Sequence, residues 1–209
     1  TGLHISVFTD HLPYPCKFFH DAEAAAQFEL WSHPSLKDFI YLNIRSHLSG
    51  ALIVNRSSLK GTDLKSGVFE HMTLIPNGRP CYCGRRGCME TYCSTQPLID
   101  VTGHLHTFFE KLRKGNRTCQ ECWNTYLLNL AAAINNLRMF IDYPVLIGGT
   151  LSPYLTEEDI DTLHRYASEK SAFPTEQRFI RQGQNQKALR CEGAAISYVK
   201  EYLHEIMNL

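Results

Sequence analysis

Gly78-Arg79-Pro80-Cys81-Tyr82-Cys83-Gly84-Arg85-Arg86-Gly87-Cys88-Met89-Glu90 packs three cysteines into eight residues, and His71 stands ten residues before the first of them. The pattern is H-x9-C-x-C-x4-C. Structural zinc takes four nitrogen and sulfur ligands in a tetrahedron, and three cysteines with one histidine form a standard closed set. Two cysteines one residue apart chelate a single ion only where the backbone turns sharply, and Gly84 and Gly87 supply the positive φ angles such a turn needs. The expectation is a structural zinc held by His71, Cys81, Cys83 and Cys88, with a metal-free Cys-rich loop as the alternative. Cys93, five residues on, is a substitute ligand only if it stays within the loop, and the spacing puts it at the start of the next element.

Around this loop lie 209 residues, enough for one well-cored domain. Lysine plus arginine and aspartate plus glutamate number 21 each, so the chain lacks the basic excess of a nucleic-acid-binding surface. No apolar run approaches the roughly 18 residues of a membrane span. Thr1-Gly2-Leu3-His4 lacks a charged region followed by a hydrophobic one, so no secretory leader is expected from these residues. The eight cysteines are spaced as metal ligands in a reducing compartment rather than as a disulfide framework. These features together predict a soluble, cytoplasmic protein with no membrane association. The chain starts without Met close to a strand-like apolar run at 5–8, which suggests a piece of something longer.

Further apolar runs complete the pattern. After a second short run at 16–19, residues 22–31 read as an alanine-rich helix with Asp21 as its N-cap, ended by Pro34. Residues 39–44 and 51–55 read as a hairpin joined by 45–50. Helices are expected at 96–114, 119–140, 157–170 and 189–207, and strands at 144–147 and 178–181. A hairpin followed by alternating helices and strands predicts an α/β fold, a mixed sheet flanked by helices.

The cysteine stretch resembles the zinc-loop signature of the ROK family of repressors, open reading frames and kinases. Phe19-His20-Asp21-Ala22-Glu23-Ala24-Ala25 resembles the segment where the family's sugar kinases carry Asn-Asp and its repressors often carry His-Asp. Pro144-Val145-Leu146-Ile147-Gly148-Gly149 resembles a nucleotide-side glycine turn, and Glu192-Gly193-Ala194-Ala195 the family's last helix. The resemblance implies an actin-like ATPase (ribonuclease H-like) lobe with an inserted zinc loop. It also implies that an N-terminal lobe, and in the repressor branch a helix-turn-helix, lies upstream of residue 1. Residues 1–209 would then be the C-terminal effector lobe. By the same resemblance His20, Asp21, His71 and Glu90 face a sugar, and Asp21 is the general base if the protein is a kinase.

Two departures bear on function. The family's Glu-x-Gly-His reads Val68-Phe69-Glu70-His71 here, so one sugar-binding glutamate is lost, and on an extended backbone Glu70 points away from its place. The kinases' glycine-rich phosphate hairpin corresponds to 44–51, which holds a single glycine, Gly50, along with Arg45 and His47. Backbone N–H groups cradle phosphate only where side chains leave room. The expected function is therefore the effector-sensing, oligomerising domain of a sugar-responsive transcriptional regulator, not an enzyme. Its partners would be a sugar or sugar phosphate, a second copy in a homodimer or larger homo-oligomer, and DNA only through the upstream part. The alternative is an ATP-dependent hexose or amino-sugar kinase. Cys119-x-x-Cys122 at a helix start reads as structural thiols, and Lys111, Arg113, Lys114 and Arg117 as a solvated basic cluster.

Overall fold

A computed structural model describes residues 6–63, 67–184 and 189–207. The first apolar run is not a strand: Ser6–Thr9 form a single helical turn, α1, and Ile5 lies outside the described residues. Residues 16–19 are irregular. A strand exists by pairing, and neither run lies in the five-stranded sheet. The alanine-rich helix α2 (Asp21–Ser32) begins one residue earlier than expected, with His20 at the N-cap, so Asp21 is its first helical residue and not its cap.

The hairpin follows as β1 (Phe39–Ile44) and β2 (Leu48–Val54), with the short β3 (Ser57–Ser58) beyond a turn whose Asn55 and Arg56 both have positive φ. β2 starts three residues before the predicted boundary and shrinks the connection to 45–47. Its first N–H, on Leu48, is taken by the Glu90 carboxylate, and Ser49 pairs across to Asn43. A 3-10 turn at Phe69–His71 leads into the cysteine loop, which ends at α3 (Glu90–Cys93). The predicted helix at 96–114 is two, α4 (Gln96–Thr102) and α5 (Leu105–Arg113), because Gly103 adopts a left-handed conformation between them.

The long helix α6 (Arg117–Phe140) is capped by the Asn116 side chain, which accepts from the Cys119 N–H at 3.1 Å. Then come β4 (Val145–Gly148), α7 (Glu157–Lys170) behind a Thr156/Asp159 capping box, β5 (Ile180–Gln182) and α8 (Leu189–Met207).

The sheet order is β3-β2-β1-β4-β5, antiparallel within the hairpin and parallel from β1 through β4 to β5. This is the expected mixed sheet with helices on both faces. Alternation along β1 sends Phe39 and Tyr41 toward α2, where Ala22, Ala25, Ala26 and Leu30 pack on them. Ile40, Leu42 and Ile44 go to the larger core under α6 and α7. Small residues let α8 cross α2 closely: a Cβ on Gly193 would lie 1.7 Å from the Ala24 carbonyl oxygen. The α2 face of the hairpin's closed end, where Asn43 and Ser49 sit side by side, is thereby fixed next to the start of α2.

Candidate metal centre and adjoining cavity

The ligand atoms of His71, Cys81, Cys83 and Cys88 all lie within 4.8 Å of one another. Cys83 Sγ and Cys88 Sγ are 3.7 Å apart, and Cys81 Sγ is 3.8 Å from His71 Nδ1. Ligands about 2.3 Å from a tetrahedral ion stand roughly 3.8 Å from each other, so these two spacings match such a site and the four residues could hold a metal ion. The turns come from Gly84 and Gly87, at φ 84° and 83°. Two isolated bridges, Thr73 to Cys88 and Pro80 to Arg86, hold the loop together. The backbone N–H of Arg85 draws the exposed Cys83 thiol below its ordinary value, whereas burial pushes Cys88 up to about 12. Cys93 is fully buried on α3 and stands outside the cluster. Cys119 is buried in the first turn of α6 and the half-buried Cys122 faces the Pro97 carbonyl, so this pair packs as structural thiols.

Beside the metal loop opens a cavity of about 530 Å³. His20, Asp21, Leu48 and Ser49 form one side, and His47, Glu70 and Tyr82 the other. Asp21 is held through both oxygens. Asn43 Nδ2 donates to Oδ2 at 2.9 Å, and the Ser49 hydroxyl donates to Oδ1 at 2.9 Å. Asn43 Nδ2 also reaches Ser49 Oγ at 3.0 Å. The carboxylate is thus fixed by the β1–β2 register, not by capping its own helix. His20 Nδ1 lies 3.8 Å from Asp21 Oδ1.

Of the four residues assigned to a sugar by resemblance, the structure brings His20 and Asp21 to this cavity. His71 stays with the metal cluster, its ring 5.1 Å from that of Tyr82, whose other neighbour is His47 at 5.2 Å. Glu90 is buried and lines a second cavity of about 380 Å³ with Ser46, Arg79 and Asp100. Both of its oxygens are engaged, Oε1 with His47 Nδ1 at 2.9 Å and Oε2 with the Leu48 N–H at 2.7 Å.

Glu70 reverses its expected orientation. Because Phe69–His71 is a 3-10 turn rather than extended chain, Glu70 swings into the first cavity, only 7% exposed, while Val68 stays outside it. Its Oε2 has no hydrogen-bond partner. Burial pushes its carboxyl up, against its own backbone N–H and the nearby His71 and His20. Sequence reasoning missed Asn43, Ser49 and Tyr82. The available signal was Asn43 itself, a polar residue inside the apolar run 39–44.

A mixed sheet of this order with an inserted His-Cys loop defines a lobe of the actin-like ATPase fold. The ROK family profile matches residues 5–190, and the chain belongs to the ROK family. An N-acetylmannosamine kinase of Haemophilus influenzae is 25% identical over 165 residues, 75% of this chain and 54% of the relative. The chain spans about half the length of the curated relatives it matches. A ROK family glucokinase from Streptomyces griseus, in complex with glucose and AMPPNP, superposes with a TM-score of 0.73 at 20% identity, covering 89% of this chain and 69% of that one. A ROK family transcriptional regulator, a homolog of the E. coli MLC protein, gives a TM-score of 0.71 at 19% identity, covering 84% of this chain and 49% of its own. The last two likenesses establish the fold. Among the described residues no helix is long and apolar enough to cross a membrane.

Proposed function

We propose that residues 1–209 form the C-terminal, effector-sensing lobe of a sugar-responsive ROK transcriptional regulator, with zinc on His71, Cys81, Cys83 and Cys88. The observation that carries this reading is the β1–β2 turn. Kinases need bare backbone there for phosphates, whereas this turn bears Arg45 and His47, and His47 is tied to Glu90 at 2.9 Å. The cavity around Asp21 supports a polyhydroxylated ligand: it offers two carboxylates, two imidazoles, a serine hydroxyl and the Tyr82 ring, and its volume suits one or two sugar rings. Zinc closed by four protein ligands has no catalytic position, and its contribution is to fix the backbone that carries Glu70 and Tyr82. Sugar binding would shift the lobe between two states of a cytoplasmic homodimer or larger homo-oligomer, and an upstream helix-turn-helix would read the change out on DNA.

A second reading, an ATP-dependent hexose or amino-sugar kinase, is favoured by the names of the curated relatives. In that reading Asp21, clamped by Asn43 and Ser49 at the cavity wall, would be the general base on a sugar hydroxyl. Phosphate transfer from ATP to a panel of hexoses and amino sugars, with the full-length protein, separates the two. The regulator reading expects no turnover above background, and turnover abolished by Asp21→Asn replaces it with the kinase.

A further inference from the structure

We infer that Glu70 is the specificity-determining acceptor of the cavity and restricts it to uncharged or cationic sugars, excluding sugar phosphates; this rests on the sugar-binding reading above. Three observations converge on it. Glu90, the acceptor that the family resemblance designates, has both oxygens occupied by His47 and the Leu48 N–H. Val68, at the position of the family's other glutamate, does not line the cavity. Glu70 does line it, is 7% exposed, and has an oxygen without a partner.

A buried carboxylate oxygen left unpaired is costly, and a donor on a ligand removes that cost. Sugar hydroxyls or an ammonium group supply such donors. A phosphate does the reverse: it would enter a cavity walled by Asp21 and Glu70, with Glu90 2.9 Å behind His47, in which no lysine or arginine is among the lining residues described. The two imidazoles are outnumbered: His47 Nδ1 faces Glu90 at 2.9 Å and His20 Nδ1 lies 3.8 Å from Asp21, so each ring has one nitrogen left for a ligand against three carboxylates.

Calorimetric titration of the full-length protein with glucose, glucosamine and glucose 6-phosphate, on the wild type and on Glu70→Leu and Glu70→Gln, tests the inference. The wild type should bind at least one of the two unphosphorylated sugars and take glucose 6-phosphate at least tenfold more weakly. Glu70→Leu should weaken sugar binding about tenfold or more, with unchanged metal content and an unfolding temperature, without sugar, at or above wild type. Glu70→Gln, which keeps an acceptor oxygen but loses the charge, should recover part of the sugar affinity and narrow the gap to the phosphate ester. It also reads the outcome if the leucine variant does not fold. Sugar binding by both variants within twofold of wild type overturns the role of Glu70 and leaves the sugar-binding reading standing. Equal affinity for glucose and glucose 6-phosphate in the wild type overturns the exclusion of phosphates. A wild type that binds neither sugar overturns the inference together with the reading beneath it.

Discussion

Gly50 is the one glycine left in the hairpin that corresponds to the kinase phosphate loop, yet its neighbours give it a different task. A Cβ built there would stand 2.3 Å from Phe69 Cδ2 and 2.9 Å from the Gly67 carbonyl oxygen. Carbon atoms in contact prefer about 3.5–4.0 Å, so Gly50→Ala must push the Phe69 ring back by more than about 1 Å. The Gly67 carbonyl oxygen crowds the same methyl and, being backbone, yields less readily than a side chain. Overpacking of this kind costs about 1–3 kcal/mol. At roughly 2–4 °C per kcal/mol for a chain of this length, the unfolding temperature should fall by about 2–12 °C. The damage should also spread along the chain, because Glu70 and His71 follow Phe69 on the same 3-10 turn. Scanning calorimetry without nucleotide, paired with elemental analysis, should show lower stability and reduced metal content together. Adding Phe69→Leu should restore part of both, a coupling that a double-mutant cycle measures. Wild-type stability and full metal content in Gly50→Ala would refute the packing role and return this glycine to the phosphate loop.

Two other outcomes follow from the geometry. Cys83→Ser removes one metal ligand from an exposed position, so no core cavity complicates the result. Metal content should drop from about one ion per chain to near zero, and protease should cut the loop between His71 and Cys88; full retention of metal contradicts the four-ligand site. Glu29 is buried to 1% exposure, its Oε1 accepts the Gln184 N–H at 2.6 Å, and its Oε2 has no hydrogen-bond partner, with His33 Nδ1 3.5 Å away. Burial raises its pKa above the unfolded value, so its stability contribution is full below the unfolded pKa and is lost as pH rises through the folded one. Glu29→Gln keeps an acceptor for Gln184 and removes the charge, so urea melts should show its stability relative to wild type rising from acid to neutral pH. An advantage that does not depend on pH refutes the assignment.

The His-Cys cluster was legible because its four residues are close in sequence and their spacing is itself the geometry. The sheet was legible from apolar runs and turn residues, and its mixed character from hairpin followed by alternation. What the sequence hid depends on register or on local helical pitch. Asp21 looked like a helix cap, and only the pairing of Asn43 with Ser49 across two strands shows what holds its carboxylate. Glu70 was expected to point away on an extended chain, and a single 3-10 turn carries it into the cavity. Glu90 was assigned to ligand by resemblance, and its burial against His47 and Leu48 comes from the early start of β2, which no propensity announces. The apolar run at 5–8 suggested a strand, but a strand needs a partner and that run has none in the described sheet.

The central claim is that this lobe binds a sugar beside Asp21 and holds no nucleotide at its β1–β2 turn. Titrating the full-length protein with magnesium ATP, with and without a saturating unphosphorylated sugar, tests it most directly. The account predicts heat from the sugar and none from the nucleotide in either state. Nucleotide binding that strengthens when sugar is present would contradict it and identify a kinase.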